Sequence, residues 1–190
     1  MNWVALKNLA KENSEKNSWW YSQPRHLAEK LKEFKINPKN ILDVGCGDGR
    51  FYKGFKEVFP DSSFYGIDVF QFQIDSANAT FPEGIWTCGY IQTLDSLPKY
   101  DLIICAGLFN PVALTLENHG KQIKAAMSIC VKLRELTPKY MLFLIDFHAY
   151  KIFVHEYLQD MFRVIHQWQV PDEFKNQDQI LSAFIYERFI

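Results

Sequence analysis

Asp43, three glycines at positions 45, 47 and 49, and a second carboxylate at Asp68 are the residues whose types and spacing could do chemistry in this chain. Residues 41–51 read ILDVGCGDGRF, an apolar run that ends on an acidic residue and hands over to glycines at every second position. Without a Cβ, each of Gly45, Gly47 and Gly49 lets the backbone turn tightly and lets a ligand lie against it. One glycine at a strand-to-helix turn is routine. Three in alternation after a buried strand are hard to explain by packing alone. The dinucleotide fingerprint GxGxxG, counted from Gly45, needs a glycine where this chain has Arg50, and the Gly-Lys-Ser/Thr ending of a P-loop is absent.

What remains is D-x-G-x-G-x-G, written here DVGCGDG, and with it the chain resembles the class I S-adenosylmethionine-dependent methyltransferases, whose first motif has this form. The resemblance runs from about residue 40 to the C-terminus. It implies that Gly45, Cys46, Gly47 and Gly49 wrap the methionine part of S-adenosylmethionine and that Asp43 helps to hold its amino end. It also implies an acidic residue at the end of the second strand, accepting hydrogen bonds from both ribose hydroxyls. Asp68 in YGIDVF stands there, 19 residues after Gly49, and the two oxygens of a carboxylate can take two donors at once. Val69 and Phe70 follow, placed to flank an adenine ring. After the third strand many relatives carry an acidic residue for the adenine amino group; this chain has CGYIQTL, so main chain and packing around Tyr90 and Ile91 are expected to hold adenine. Beyond the fourth strand, ICAGLFNP fits the family form, with Ala106 and Leu108 alongside the cofactor. Tyr21 and Arg25 are candidates to close over the cofactor's carboxylate.

Methyl transfer from a sulfonium is an in-line displacement with an activated leaving group. The protein then contributes alignment and, for a hydroxyl or phenol acceptor, a base. Candidates are His148 and Asp146 after the fifth strand and His119 beyond the strand-four loop, histidine being a natural base near neutral pH. Each also reads as a solvated loop residue or a helix cap. No large insertion follows strand five and no RNA-binding module is expected. Residues 1–37, 107–120 and 171–179 are left to wall a pocket rich in Trp, Tyr and Phe, which favours a small, partly apolar acceptor. Two other readings stay open: an RNA or protein methyltransferase that leans on a partner subunit, and a non-catalytic module that kept the cofactor pocket.

The elements that must position these residues follow from periodicity. Strands are expected at 41–44, 63–68, 85–88, 100–106, 140–147, 163–170 and 180–189, with helices over 50–59, 71–80, 116–136 and 150–161 between the first five and after them. Runs such as LIICA and MLFLI are apolar throughout, the mark of strands covered on both faces, hence of a parallel sheet between helical layers. The last two strands lack a helix between them and should pair antiparallel. The fold class is α/β and doubly wound; the family resemblance implies a mostly parallel seven-stranded sheet of order 3-2-1-4-5-7-6 with the last strand antiparallel. Residues 1–37 are read as an N-terminal helical segment or lid, with a helix over 23–34 capped by Ser22, and 38–190 as the cofactor-binding domain.

Composition agrees with a single domain: of 190 residues 48% are hydrophobic and 16% aromatic, enough for a sizeable core. With 21 Lys+Arg against 22 Asp+Glu, the chain lacks the basic excess of proteins that grip nucleic acid. Its four cysteines contain no CxxC pair and no metal set is expected; a reducing, cytoplasmic setting fits them better than a disulfide framework. The opening MNWVALKNLAKENSEK turns charged too soon for a signal peptide, and no apolar run approaches the ~20 residues of a membrane span. The oligomeric state has no signature in the sequence.

Overall fold

Apolar runs without alternation become the middle of a sheet. A computed structural model of the chain describes residues 19–93, 99–106, 119–145, 154–171 and 182–189. In chain order the elements are α1 (Trp19–Glu33), β1 (Asn40–Val44), α2 (Arg50–Val58), β2 (Ser63–Asp68), α3 (Gln71–Thr80) and β3 (Ile85–Cys88). After a 3₁₀ turn at Ile91–Thr93 come β4 (Leu102–Ala106), α4 (His119–Leu136), β5 (Tyr140–Ile145), a helical stretch over 154–158, β6 (Phe162–Gln169) and β7 (Ser182–Arg188). The seven described strands form one sheet in the order β3-β2-β1-β4-β5-β7-β6, the order that the family resemblance implies. β1 to β5 run parallel, and β7 is antiparallel to both β5 and β6.

Packing explains the apolar runs. Along β4, Leu102 and Ile104 enter one core while Ile103 and Cys105 enter the other; along β5, Leu142 and Leu144 oppose Met141 and Phe143 in the same way. A pleated strand sends successive side chains to opposite faces, so both faces must be covered. α4 contributes Cys130 and Leu133 to one core; α1 and α2 contribute Leu27, Leu31, Phe51 and Phe55 to the other. α1 lies so close to α2 that a Cβ on Gly54 would stand 2.5 Å from the backbone nitrogen of Arg25. Its end reaches the far edge of the sheet, where Phe34 stacks on His166 of β6 with ring centroids 3.6 Å apart and nearly parallel.

The structure moves several expected boundaries. α1 begins at Trp19, four residues ahead of the expected start, so Ser22 lies inside the helix and does not cap it. β4 begins at Leu102; Tyr100 before it is buried, its ring edge-on to Tyr65. α2 stops at Val58, two residues before Pro60, its last turn closed by Phe59 N–H donating to Phe55 O. Among the described residues no helix is long and apolar enough to cross a membrane. Residues 1–18, 94–98, 107–118, 146–153, 172–181 and 190 lie outside the description.

Candidate functional site

β1 pairs with β2 on one side and β4 on the other, so strand order reverses at its carboxyl end, where open α/β sheets bind ligands. The glycine loop sits there. Gly45, Gly47 and Gly49 have φ of 74°, 56° and 81°, the left-handed region that a side chain makes costly by roughly 1 kcal/mol or more each. The loop is tied down at three points. Gly45 and Cys46 N–H both donate to Ile67 O (2.8 and 3.1 Å), and Gly49 N–H donates to Cys46 O at 3.0 Å. Gly47 N–H donates to Asp68 Oδ2 at 3.0 Å. Gly49 caps α2 with no side-chain help.

Two carboxylates flank this loop. Asp43 is only 2% exposed and its Oδ2 has no hydrogen-bond partner among the described residues. A buried carboxylate oxygen without a donor is costly unless something else satisfies it. Burial pushes its pKa up to about 7; the Arg50 guanidinium pulls the other way, and Asp68 and Asp48 add to the rise. Asp68, half-buried, accepts from Phe70 N–H on Oδ1 (2.9 Å) and from Gly47 N–H on Oδ2. Burial raises its pKa, and those backbone donors draw it back. Each of its oxygens keeps acceptor capacity for a further donor.

The other sequence candidates divide. Cys46 is buried, its Sγ donating to Gly47 O at 3.7 Å. Ala106 is buried at the end of β4. Phe70 precedes α3 and its ring packs on Phe72; Val69 is 42% exposed and Tyr90 62% exposed. Ile91 is only 4% exposed and belongs to the same buried cluster as Leu42, Val44 and Ile67. Arg25 is spanned by two carboxylates, Nε to Glu29 Oε1 at 2.9 Å and Nη1 to Glu57 Oε2 at 3.4 Å. Asp146, His148 and Leu108 lie outside the described residues. Tyr21 and His119 fall within α1 and at the start of α4, their side chains outside the description.

Two residues enter the site that the sequence reading passed over. Arg50, noted there only as a missing glycine, sets its charge against Asp43. Gln73 of α3 brings its Oε1 to 3.9 Å from the place of a Cβ on Gly47. A cation directly after the third glycine was a visible signal; the approach of Gln73 depends on how α3 folds back over the loop and had none.

Known proteins resemble this chain in sequence and in fold. A family model described as a methyltransferase domain matches residues 42–138. The malonyl-[acyl-carrier protein] O-methyltransferase of Anoxybacillus flavithermus is 27% identical over 81 residues, 42% of this chain and 31% of that one. The chain spans less than half the length of the curated relatives it matches. The N-methyltransferase NodS of Bradyrhizobium japonicum, solved in complex with S-adenosyl-L-homocysteine, superposes with a TM-score of 0.66 at 16% identity, covering 91% of this chain and 89% of that one. An S-adenosylmethionine-dependent methyltransferase of Clostridium acetobutylicum gives 0.63 at 12% identity, with 93% and 94% covered. At those identities the superpositions speak for the fold.

Proposed function

We propose a function from one premise: the chain belongs to the S-adenosylmethionine-dependent methyltransferases of class I, Rossmann-like architecture. On that premise it binds S-adenosylmethionine and directs its methyl group to a small-molecule acceptor. The observation that carries the reading is the buried Oδ2 of Asp43, without a donor among the described residues, two residues ahead of a loop whose three glycines all have positive φ.

The residues present fit that cofactor. Asp43 offers a buried carboxylate to an ammonium group, an exchange of an unsatisfied acceptor for a charge-assisted hydrogen bond. Gly45, Cys46, Gly47 and Gly49 present bare main chain to the methionine part. Asp68, its carboxylate fixed by Gly47 and Phe70 N–H, takes the ribose hydroxyls on its remaining lone pairs. Val69, Phe70 and Tyr90 line the adenine end and Ala106 the floor beyond β4. When bound, the cofactor supplies a methyl group already activated on a sulfonium. The chain's share is therefore alignment and exclusion of water, with a base drawn from His148, Asp146 or His119 where the acceptor is a hydroxyl.

A small acceptor is supported by the charge balance of 21 Lys+Arg against 22 Asp+Glu, which gives a phosphate backbone little to hold. The test is calorimetry with S-adenosylhomocysteine and S-adenosylmethionine. Binding at about micromolar Kd is expected, and no heat with either compound at several hundred micromolar would overturn the reading.

A further inference from the structure

Three glycines from separate segments make room for one indole. Trp86 stands on β3 directly opposite Gly66 of β2. A Cβ on Gly66 would lie 2.4 Å from Trp86 Cε3, one on Gly84 2.4 Å from Cζ2, and one on Gly49 2.8 Å from Cη2. All three fall under the closest approach that real Cβ atoms show, so the ring excludes a side chain at each position. The indole is itself fixed. Its Nε1 donates to Phe81 O at 2.8 Å, and the Tyr52 and Phe64 rings each lie 6.0 Å from it, centroid to centroid. The remainder of β3 gives little to the interior, since Ile85, Thr87 and Cys88 are exposed.

Gly49 is the last glycine of the loop and the cap of α2. It rests on Cη2 and Cζ2 of the indole, with Ala77 of α3 beside it at 3.2 Å from the same imagined Cβ. Cys46 joins them, its Sγ only 2.8 Å from the imagined Cβ of Gly66. The indole therefore limits how far the loop and the start of α2 can settle toward the sheet. We propose that Trp86 is a positioning residue for the cofactor: wedged on Gly66 and Gly84, its indole is the floor under Gly49 and holds residues 45–49 where their main chain meets the ligand. This rests on the cofactor reading above. A binding loop is only as well placed as the shell that supports it, and here the indole completes a shell that Ile67 O, the Asp68 carboxylate and Ala77 also build.

The experiment compares Trp86→Leu and Trp86→Phe with Phe64→Leu, which opens a void beside the same indole and leaves the indole in place. Affinity for S-adenosylhomocysteine is read by calorimetry and stability by thermal unfolding. Trp86→Leu is expected to weaken binding at least tenfold and Trp86→Phe about threefold. Phe64→Leu is expected to lower Tm at least as far as Trp86→Phe while leaving affinity within twofold of wild type. Trp86 variants that bind as wild type does, or a Phe64→Leu chain that loses as much affinity as Trp86→Leu, would overturn the proposal. If Trp86→Leu does not fold, Trp86→Phe against Phe64→Leu decides by the same criteria. A wild-type chain that fails to bind the probe overturns the cofactor reading itself and this proposal with it, an outcome distinct from a binding wild type with indifferent Trp86 variants.

Discussion

Asp43, next to last in β1, has its carboxylate almost sealed from solvent, and its behaviour with pH follows from that burial. Its folded pKa of about 7 lies above the ordinary carboxylate value, so the folded chain without ligand holds a proton that the unfolded chain has released. Stability contributed by this group is then fully present below about pH 4 and is lost as pH rises through about 7, a decline on the order of 4 kcal/mol. Asp43→Asn removes that decline, and denaturant unfolding at pH 8 should find the unliganded variant more stable than wild type. The same substitution should cost about 2 kcal/mol of cofactor affinity, roughly 30-fold, by removing a charge-assisted partner of the ammonium group. Pairing with a cation requires Asp43 to give up its proton, so wild-type affinity should fall as pH drops below about 7. Calorimetry in buffers of different ionisation heat should show a proton released on binding, and none for Asp43→Asn. Because Arg50 lowers the pKa of Asp43, Arg50→Gln should move the fall in affinity to higher pH. Both effects absent would mean that Asp43 does not face the ligand.

At the scale of elements, α1 behaves as a layer of the core rather than an appendage. Leu27, Ala28 and Leu31 are fully buried among residues of β1, α2 and β5, and Gly54 lets the two helices touch backbone to backbone. Gly54→Ala places a methyl group where Arg25 N and the carbonyl carbon of Pro24 already stand, at 2.5 and 2.9 Å, and neither is a flexible side chain. Overpacking of that kind should cost roughly 2 kcal/mol and lower Tm by roughly 4–8 °C. A thermal scan checks it, and an unchanged Tm would show that α1 can shift freely on α2. This layering also marks what could be read beforehand. The strands and the loop between β1 and α2 were legible because each is written locally: two-faced apolar runs, and glycines where φ must be positive. Asp68 was legible because a strand end fixes where its carboxylate points. The start of α1 was not, since Ser22 and Pro24 look like a cap and a first turn while the helix runs on ahead of both to Trp19. Gly66 and Gly84 were not read either, because nothing near them in the sequence announces that one indole from β3 will lie across both.

The whole molecule puts its ligand end where the strand order reverses and closes its far side with β7, inserted antiparallel between β5 and β6. That arrangement leaves the acceptor to be chosen by whatever surrounds the carboxyl ends of β4 and β5, and overall charge bears on that choice. A protein that neutralises several phosphates releases their counterions and loses affinity steeply with salt, by about a thousandfold or more between 50 and 200 mM for 6–10 contacts. With a formal charge of −1, this chain has little means of building such a grip by itself. Turnover of cellular extract with methyl-labelled cofactor should therefore change less than about threefold over that salt range. The label should leave with the low-mass fraction on filtration. Label retained with RNA, and lost when salt is raised, would show that a polymer is the acceptor and that the grip comes from a partner subunit; label retained with protein at all salt concentrations would point to a polypeptide instead. Either result would leave the proposed cofactor site as it stands and change only what is brought to it, because on that proposal the Asp43–glycine–Asp68 arrangement holds the donor and has no say in the acceptor.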